Sequence, residues 1–447
     1  VQDQRPLSRR DSRAVLLRLL VVLLLLRVVF FAVGSPQLVS DTKFYFPWAV
    51  LAADGGRVPY RDFAVEYPPG CWLAIYWPRL LGPDRGRLMK LLPAADQSSE
   101  AASAAPELKR AYAHYRRLFR WQMFAVDLAA LVLMAWLLAR HVEKAPVALA
   151  VYGAGSLTLV PILYDRLDPG LWLLVLLGSF LWLEAWQRRP RPATWLAASA
   201  FCWGLGVAYK LMPLVAAPAL ALALWRRSNS WGQRLLPLAA GVLGAAAPFA
   251  LAGLVAGGGV LDLFHYHGQR GTQYESLWGS VQMVLNRAGL LPVQIAEVAK
   301  AVDVQSRLAP ALVWASYALV LVSIAWVCWQ LGRCPRERLP RLGLVAAAVC
   351  LLWAVAWGKV LSPQYLIWAG PVAVLAVALG VPRPWQLAAF AWVFAVWILT
   401  AAIYPWGYLY WGLASRKLVW LVLLRNGLLV GLCGGLSWWF FRACRDR

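Results

Sequence analysis

Apolar residues arrive in blocks of about 16–24, separated by short polar punctuation, along the whole of the 447-residue chain. A helix needs about 20 such residues to cross ~30 Å of hydrocarbon. Inside hydrocarbon no water can satisfy backbone N–H and C=O groups, so each block must form a helix. One unusually large soluble core is the competing explanation for a chain that is 61% hydrophobic and 15% charged. A soluble core would not impose this block length. The expected fold class is all-α integral membrane, a single polytopic domain over residues 1–447 with about twelve transmembrane helices.

The blocks lie near 14–34, 118–138, 146–163, 169–186, 195–208, 211–225, 235–256, 310–331, 342–357, 365–379, 385–404 and 418–441. The first is long for a signal-peptide core of about 7–15 residues and reads as an anchor running outward. The pair flanking Lys210 reads as two short spans or one bent helix. Connections alternate in charge. One set holds Arg140/Lys144, Arg188/Arg189/Arg191, Arg226/Arg227/Arg234, Arg333/Arg336/Arg338/Arg341, Arg383 and Arg442/Arg445/Arg447; the other holds only Arg166, Lys210, Lys359 and Arg416/Lys417. The positive-inside rule puts the first set and both termini in the cytoplasm. The net charge of +23 therefore reads as topology signal and anionic-lipid contact, with no nucleic-acid partner. Seven cysteines without a C-x-x-C pair argue against a thiolate metal site.

Two extracytoplasmic loops are long, the first at 35–117 and the fourth at 257–309, and both are expected to carry interfacial helices. In the first, 71–81 is apolar but too short to span, 94–105 is Ala/Ser-rich, and 107–120 has the charge spacing of an amphipathic helix lying on the membrane. Candidate chemistry gathers on this side. Asp41, just beyond the first span, is placed to take a proton from a hydroxyl, or simply to cap a helix. Lys43 puts a cation beside it, which favours the ionised acid at close range. Glu66-Tyr67-Pro68-Pro69 is a rigid turn with a second acid. Asp165 and Asp168 flank Arg166, and Asp168 also suits a helix N-terminus before Pro169. Lys210, Lys359 with Gln364-Tyr365, and Arg270 suit a phosphate or snorkel to headgroups. Gln273 and Glu275 suit sugar hydroxyls. His265 and His267 with Glu275 lack zinc spacing, so no metal is expected.

Several of these segments fall together on one predicted side. They are Asp41; Pro59-Tyr60 followed by Glu66-Tyr67-Pro68-Pro69; Tyr164-Asp165 to Asp168-Pro169; Lys210-Leu211-Met212-Pro213; His267-x-x-Arg270-Gly271 running into Glu275-Ser276; and Ser362-Pro363-Gln364-Tyr365. Together they resemble GT-C glycosyltransferases, and nearest the polyprenyl-phosphate-mannose-dependent mannosyltransferase branch, glycosyltransferase family 87. The resemblance covers about residues 41–365. It implies a GT-C-like bundle that moves a hexose, mannose in that branch, from a polyprenyl-phosphate donor to an acceptor hydroxyl with inversion. It also implies a bacterial-type plasma membrane and a glycolipid or polysaccharide acceptor. Asp41 matches the first-loop acid taken as general base, with Glu66 and Asp165 as alternative bases and His267 as phosphate ligand or proton carrier. Lys210, Arg270 and Lys359 are the donor-phosphate candidates by charge and side. A lipid phosphate leaves readily, so no cofactor is required. A lipid or sugar transporter, or an inactive partner of another transferase, fits the same topology. Transporters, however, tend to carry internal repeats, and none shows at a fixed period.

Overall fold

The computed structural model describes residues 9–33, 40–83, 88–90, 106–187, 192–298 and 301–445. Helix α1 (Arg9–Val33) is followed by two short helices, α2 (Thr42–Ala53) and α3 (Trp72–Leu80), and then by the 36-residue α4 (Pro106–His141). Next come α5 (Ala145–Leu157), the one-turn α6 (Val160–Leu163), α7 (Asp168–Gln187), α8 (Pro192–Tyr209), α9 (Ala217–Arg227) and α10 (Trp231–Ala256). The long 257–309 connection contains α11 (Asp262–Gln269), strand β1 (Thr272–Gln273), α12 (Leu277–Arg287), and strands β2 (Gln294–Val298) and β3 (Ala301–Gln305). The chain ends with α13 (Ala309–Leu331), α14 (Leu339–Trp357), α15 (Leu366–Gly380), α16 (Arg383–Ala401), the short α17 (Tyr408–Trp411) and α18 (Arg416–Arg445).

Every predicted block is helical. Among the described residues nine helices are long and apolar enough to cross a membrane. The remaining blocks fall on α5, on α8, and on a 3-10 turn (Met212–Ala216) that runs into α9. The protein is thus a multi-pass helical membrane protein. The blocks on either side of Lys210 are separate helices, because Pro213 removes a backbone donor just after α8. Proline opens helix after helix at the first or second position, as in α5, α9, α13, α14 and α16. There its missing N–H costs nothing. The apolar windows of α14 and α15 are 83% buried and that of α10 is 6% buried, so α14 and α15 form the centre and α10 the lipid-facing rim.

Three expectations for the outer loops need correcting or completing. Residues 107–120 are not a separate surface helix. They continue without a break into the span of α4, and Leu108, Ala111, Tyr115 and Phe119 are buried along one side. A helix of this length rises ~54 Å, well beyond the hydrocarbon, so its N-terminal half extends past the span and packs against α2 and α3. The 257–309 loop holds an antiparallel sheet of order β1-β3-β2 in addition to its helices. The 71–81 piece is α3, preceded by a 3-10 turn at Pro69–Cys71. The Ala/Ser-rich 94–105 and the arginines at 188, 189 and 191 lie outside the described residues. In the bundle, Arg27 donates to Asp127 at 2.8 Å and to Ser156 at 2.7 Å, so this charge deep in α1 is paired, as a buried charge must be.

Candidate active site

A cavity of about 680 Å³ opens where the first outer loop, the fourth outer loop and the ends of several spans meet. Of the sequence candidates, Asp41, Lys43, Glu66, Tyr67, Lys210, His267, Arg270, Gln273, Glu275, Gln364 and Tyr365 line it. Asp165, Asp168 and Lys359 do not.

Asp41 stands at the N-cap of α2, yet its side chain makes no capping hydrogen bond. Its carboxylate forms an ion pair with Arg166 instead. Tyr45 and Tyr67 hydroxyls approach the same Oδ2 at 3.5 Å. Burial comes first in pushing both phenols upward, followed by Tyr67 and Asp41 at Tyr45 and by Asp41 and Glu66 at Tyr67, so they remain donors. Burial works against the Arg166 charge, but Asp41 more than offsets it and holds the guanidinium protonated. Lys43, expected beside the acid, lies 5.0 Å over the Phe44 ring. The neighbouring residues repeat the pairing: Ser40 donates to Asp165 at 2.7 Å, while Arg116 and Arg120 reach the same buried carboxylate at 2.6 and 2.7 Å. Asp165 is fully buried and does not line the cavity. It fixes the 40–42 segment against α4, and its two arginines saturate it.

The cations separate into three kinds. Lys210 donates to Asp168 at 2.7 Å and sits 5.1 Å over the Tyr365 ring, so Asp168 serves to orient a cavity lysine. Lys359 donates to the backbone carbonyls of His267 at 3.0 Å and Arg270 at 2.6 Å. It caps the end of α11, a role open to any lysine near unsatisfied helix carbonyls. Arg270 has no carboxylate partner among the described residues, and its buried Nε has no hydrogen-bond partner. His267 is close enough to Arg270, Lys359 and Lys210 to interact with all three electrostatically, and its ring meets the backbone of Glu66. The Glu66 side chain hydrogen-bonds Tyr266. Among the described residues no group of three or more His, Cys, Asp or Glu is gathered as a metal site would need.

Glu275 occupies a different wall, 1% exposed. Tyr408 donates to its Oε1 at 2.9 Å, while Arg425 and Asn426 of α18 hold its backbone carbonyl at 2.7 and 3.1 Å. Burial pushes the carboxyl up to about 7, against the pull of Arg425 and the Tyr408 hydrogen bond.

Sequence reasoning overlooked Arg166, Tyr404 and Tyr408. Arg166 sits between the two acids that were singled out, where the charge pattern marked it as a topology signal. The tyrosines reach the cavity because α16 breaks at Tyr404 (φ −135°, ψ 127°). A residue before proline, here Pro405, is driven into that extended region. Tyr404 hydrogen-bonds Arg166 and packs edge-on to Tyr408 at 5.3 Å, linking the Asp41 pair to the Glu275 wall.

No protein-family profile and no curated protein matches this chain. Among solved structures it is similar to ArnT from Cupriavidus metallidurans bound to undecaprenyl phosphate. The identity is 16% and the TM-score 0.38, over 95% of this chain and 77% of that one.

Proposed function

We propose that the protein is a glycosyltransferase that moves a hexose, mannose on the family resemblance, from a polyprenyl-phosphate donor to an acceptor hydroxyl. The observation that carries this reading is the company kept in the cavity. A carboxylate held by Arg166 shares one chamber with Arg270, which forms no salt bridge among the described residues, and with His267. The prenyl tail lies between helices, and the donor phosphate sits against Arg270, with Lys210 and His267 beside it. Arg166, Tyr45 and Tyr67 all meet Oδ2 of Asp41, so Oδ1 is the oxygen that takes the acceptor proton. The acceptor oxygen bonds to the anomeric carbon as the carbon–phosphate oxygen bond breaks, with inversion. The leaving electron pair settles on the phosphate, where fixed cations stabilise it. The cavity faces outward and both termini face the cytoplasm of a bacterial-type plasma membrane. The acceptor is a glycolipid or polysaccharide.

The test uses purified protein in nanodiscs with a radiolabelled polyprenyl-phosphate hexose. Asp41→Asn should lower turnover at least about a hundredfold, the low end of what a general base contributes. Arg270→Ala should mainly raise the KM for donor. Full activity in the Asp41 variant would move the base to Glu66. In sealed proteoliposomes, movement of labelled sugar-lipid across the bilayer without a new glycosidic bond would replace transfer by transport.

A further inference from the structure

The cavity is divided by charge. One region collects Lys210, Arg270 and His267. The Asp41–Arg166 pair, internally neutral, stands in the middle, and Tyr404 leads from Arg166 to the wall of Glu275 and Tyr408. That last wall has its own character. Glu275 Oε1 is filled by Tyr408, but Oε2 is buried and accepts no hydrogen bond. The nearest cation, Arg425, stays 3.6 Å from Oε2, because its Nη2 is committed to the Glu275 backbone carbonyl at 2.7 Å. Its Nε donates to Asn426 at 2.9 Å. A buried carboxylate oxygen left without a donor costs free energy, and such a group beside a chamber is a receptor for something that brings a donor. Tyrosine rings flanking an acid match the alternating apolar faces and hydroxyl edges of a sugar ring.

We propose that Glu275, Tyr404 and Tyr408 form an acceptor subsite for an uncharged carbohydrate, in which Oε2 of Glu275 accepts a hydrogen bond from a non-reacting hydroxyl. The subsite deepens the glycosyl-transfer reading and rests on it for the word acceptor. Its chemistry excludes anionic acceptors at this wall. A phosphate or carboxylate would meet Glu275 with no uncommitted cation to offset the repulsion, since Arg425 is bound to the backbone and Arg166 to Asp41. The groups facing Glu275 are Tyr274 on its own segment, Tyr404 and Tyr408 after the α16 break, and Arg425 and Asn426 on α18.

Binding can be read without turnover, by saturation-transfer NMR on the full chain in nanodiscs. The probes are methyl α-mannoside, methyl β-galactoside and mannose 6-phosphate. With the donor region filled by polyprenyl phosphate, the wild type should bind the neutral glycosides in preference to the phosphate ester, and more tightly at pH 8 than at pH 6, as Glu275 ionises. Glu275→Ala should weaken glycoside binding about ten- to hundredfold, the worth of a hydrogen bond to a charged group. Glu275→Gln keeps an acceptor for Tyr408, so it should fold normally, bind about tenfold more weakly and lose the pH dependence. Equal affinity in wild type and both variants, no glycoside binding at all, or preference for mannose 6-phosphate overturns the subsite. Titrating wild-type nanodiscs with polyprenyl phosphate reports on the donor region separately. If the lipid binds and glycosides do not, only the acceptor subsite falls; if the lipid does not bind, the transfer reading falls.

Discussion

At the scale of the residue, two carboxylates of one cavity have opposite surroundings. Asp41 meets an arginine and two phenols; Glu275 meets a tyrosine, a guanidinium 3.6 Å away and dry walls. Burial therefore dominates at Glu275 and lifts it from 4.5 to about 7. A raised carboxyl means the folded chain holds the proton more tightly than the unfolded chain. The stabilisation is complete below about pH 4.5 and is lost as pH climbs through about 7. A shift of this size corresponds to roughly 3 kcal/mol at most. Thermal unfolding in nanodiscs should accordingly show the wild type losing stability between pH 5 and pH 8. Glu275→Gln should lack that loss and be the more stable protein at pH 8. Identical pH profiles for the two would mean that Glu275 is ionised throughout. The same contrast explains what could be read in advance. Acid type and predicted side singled out Asp41, Glu66, Asp165, Asp168 and Glu275 alike. Which of them are spent on structure depends on partners such as Arg116, Arg120 and Lys210, more than forty residues away along the chain.

At the scale of the element, the site depends on irregular pieces docked on spans. Pro68-Pro69-Gly70 lies against the end of α8, next to Lys210. A Cβ added at Gly70 would meet the backbone carbonyl of Ala208 at 2.6 Å and the nitrogen of Tyr209 at 2.9 Å. Backbone cannot step aside as a side chain does, so the turn would lift from α8 and take Glu66 and Tyr67 with it. Gly70→Ala should cost about 1–3 kcal/mol, as overpacking does, seen as a lower midpoint in a thermal scan, and should raise the KM for donor. Gly232→Ala is the control, since nothing lies within 4 Å of a Cβ there. Spans were legible because block length and hydrocarbon thickness impose each other. The Pro-rich turn was legible as rigid but not as docked. The β1–β3 sheet was not legible: β1 has two residues, and its partners Val304 and Asp303 come from a hairpin thirty residues on. The break at Tyr404 was visible only as the end of an apolar block, although Pro405 marked it.

At the scale of the whole molecule, everything proposed for the cavity requires that it open on the extracytoplasmic side. The argument for that side is electrostatic. Basic residues crowd the connections at the opposite end of the bundle, for example Arg226 and Arg227 after α9 and Arg333 to Arg341 around the start of α14. The cavity end carries cations that pair with acids, stack on rings or bind carbonyls, such as Arg166, Lys210 and Lys359. Connections rich in Lys and Arg stay in the cytoplasm, and by count the excess lies at the end away from the cavity. Six of the seven native cysteines are buried, and only Cys328 is partly exposed, so introduced thiols can be read over a low background. Glu297→Cys sits exposed on β2 at the cavity rim, and Glu337→Cys sits exposed in the connection before α14. A membrane-impermeant maleimide added to intact cells should label Glu297→Cys at once, and Glu337→Cys only after the membrane is opened. The reverse pattern would turn the molecule over. The prenyl donor would then have to present its sugar to the cytosol, and the paired charges at 41 and 166 would need an explanation other than transfer at the outer face.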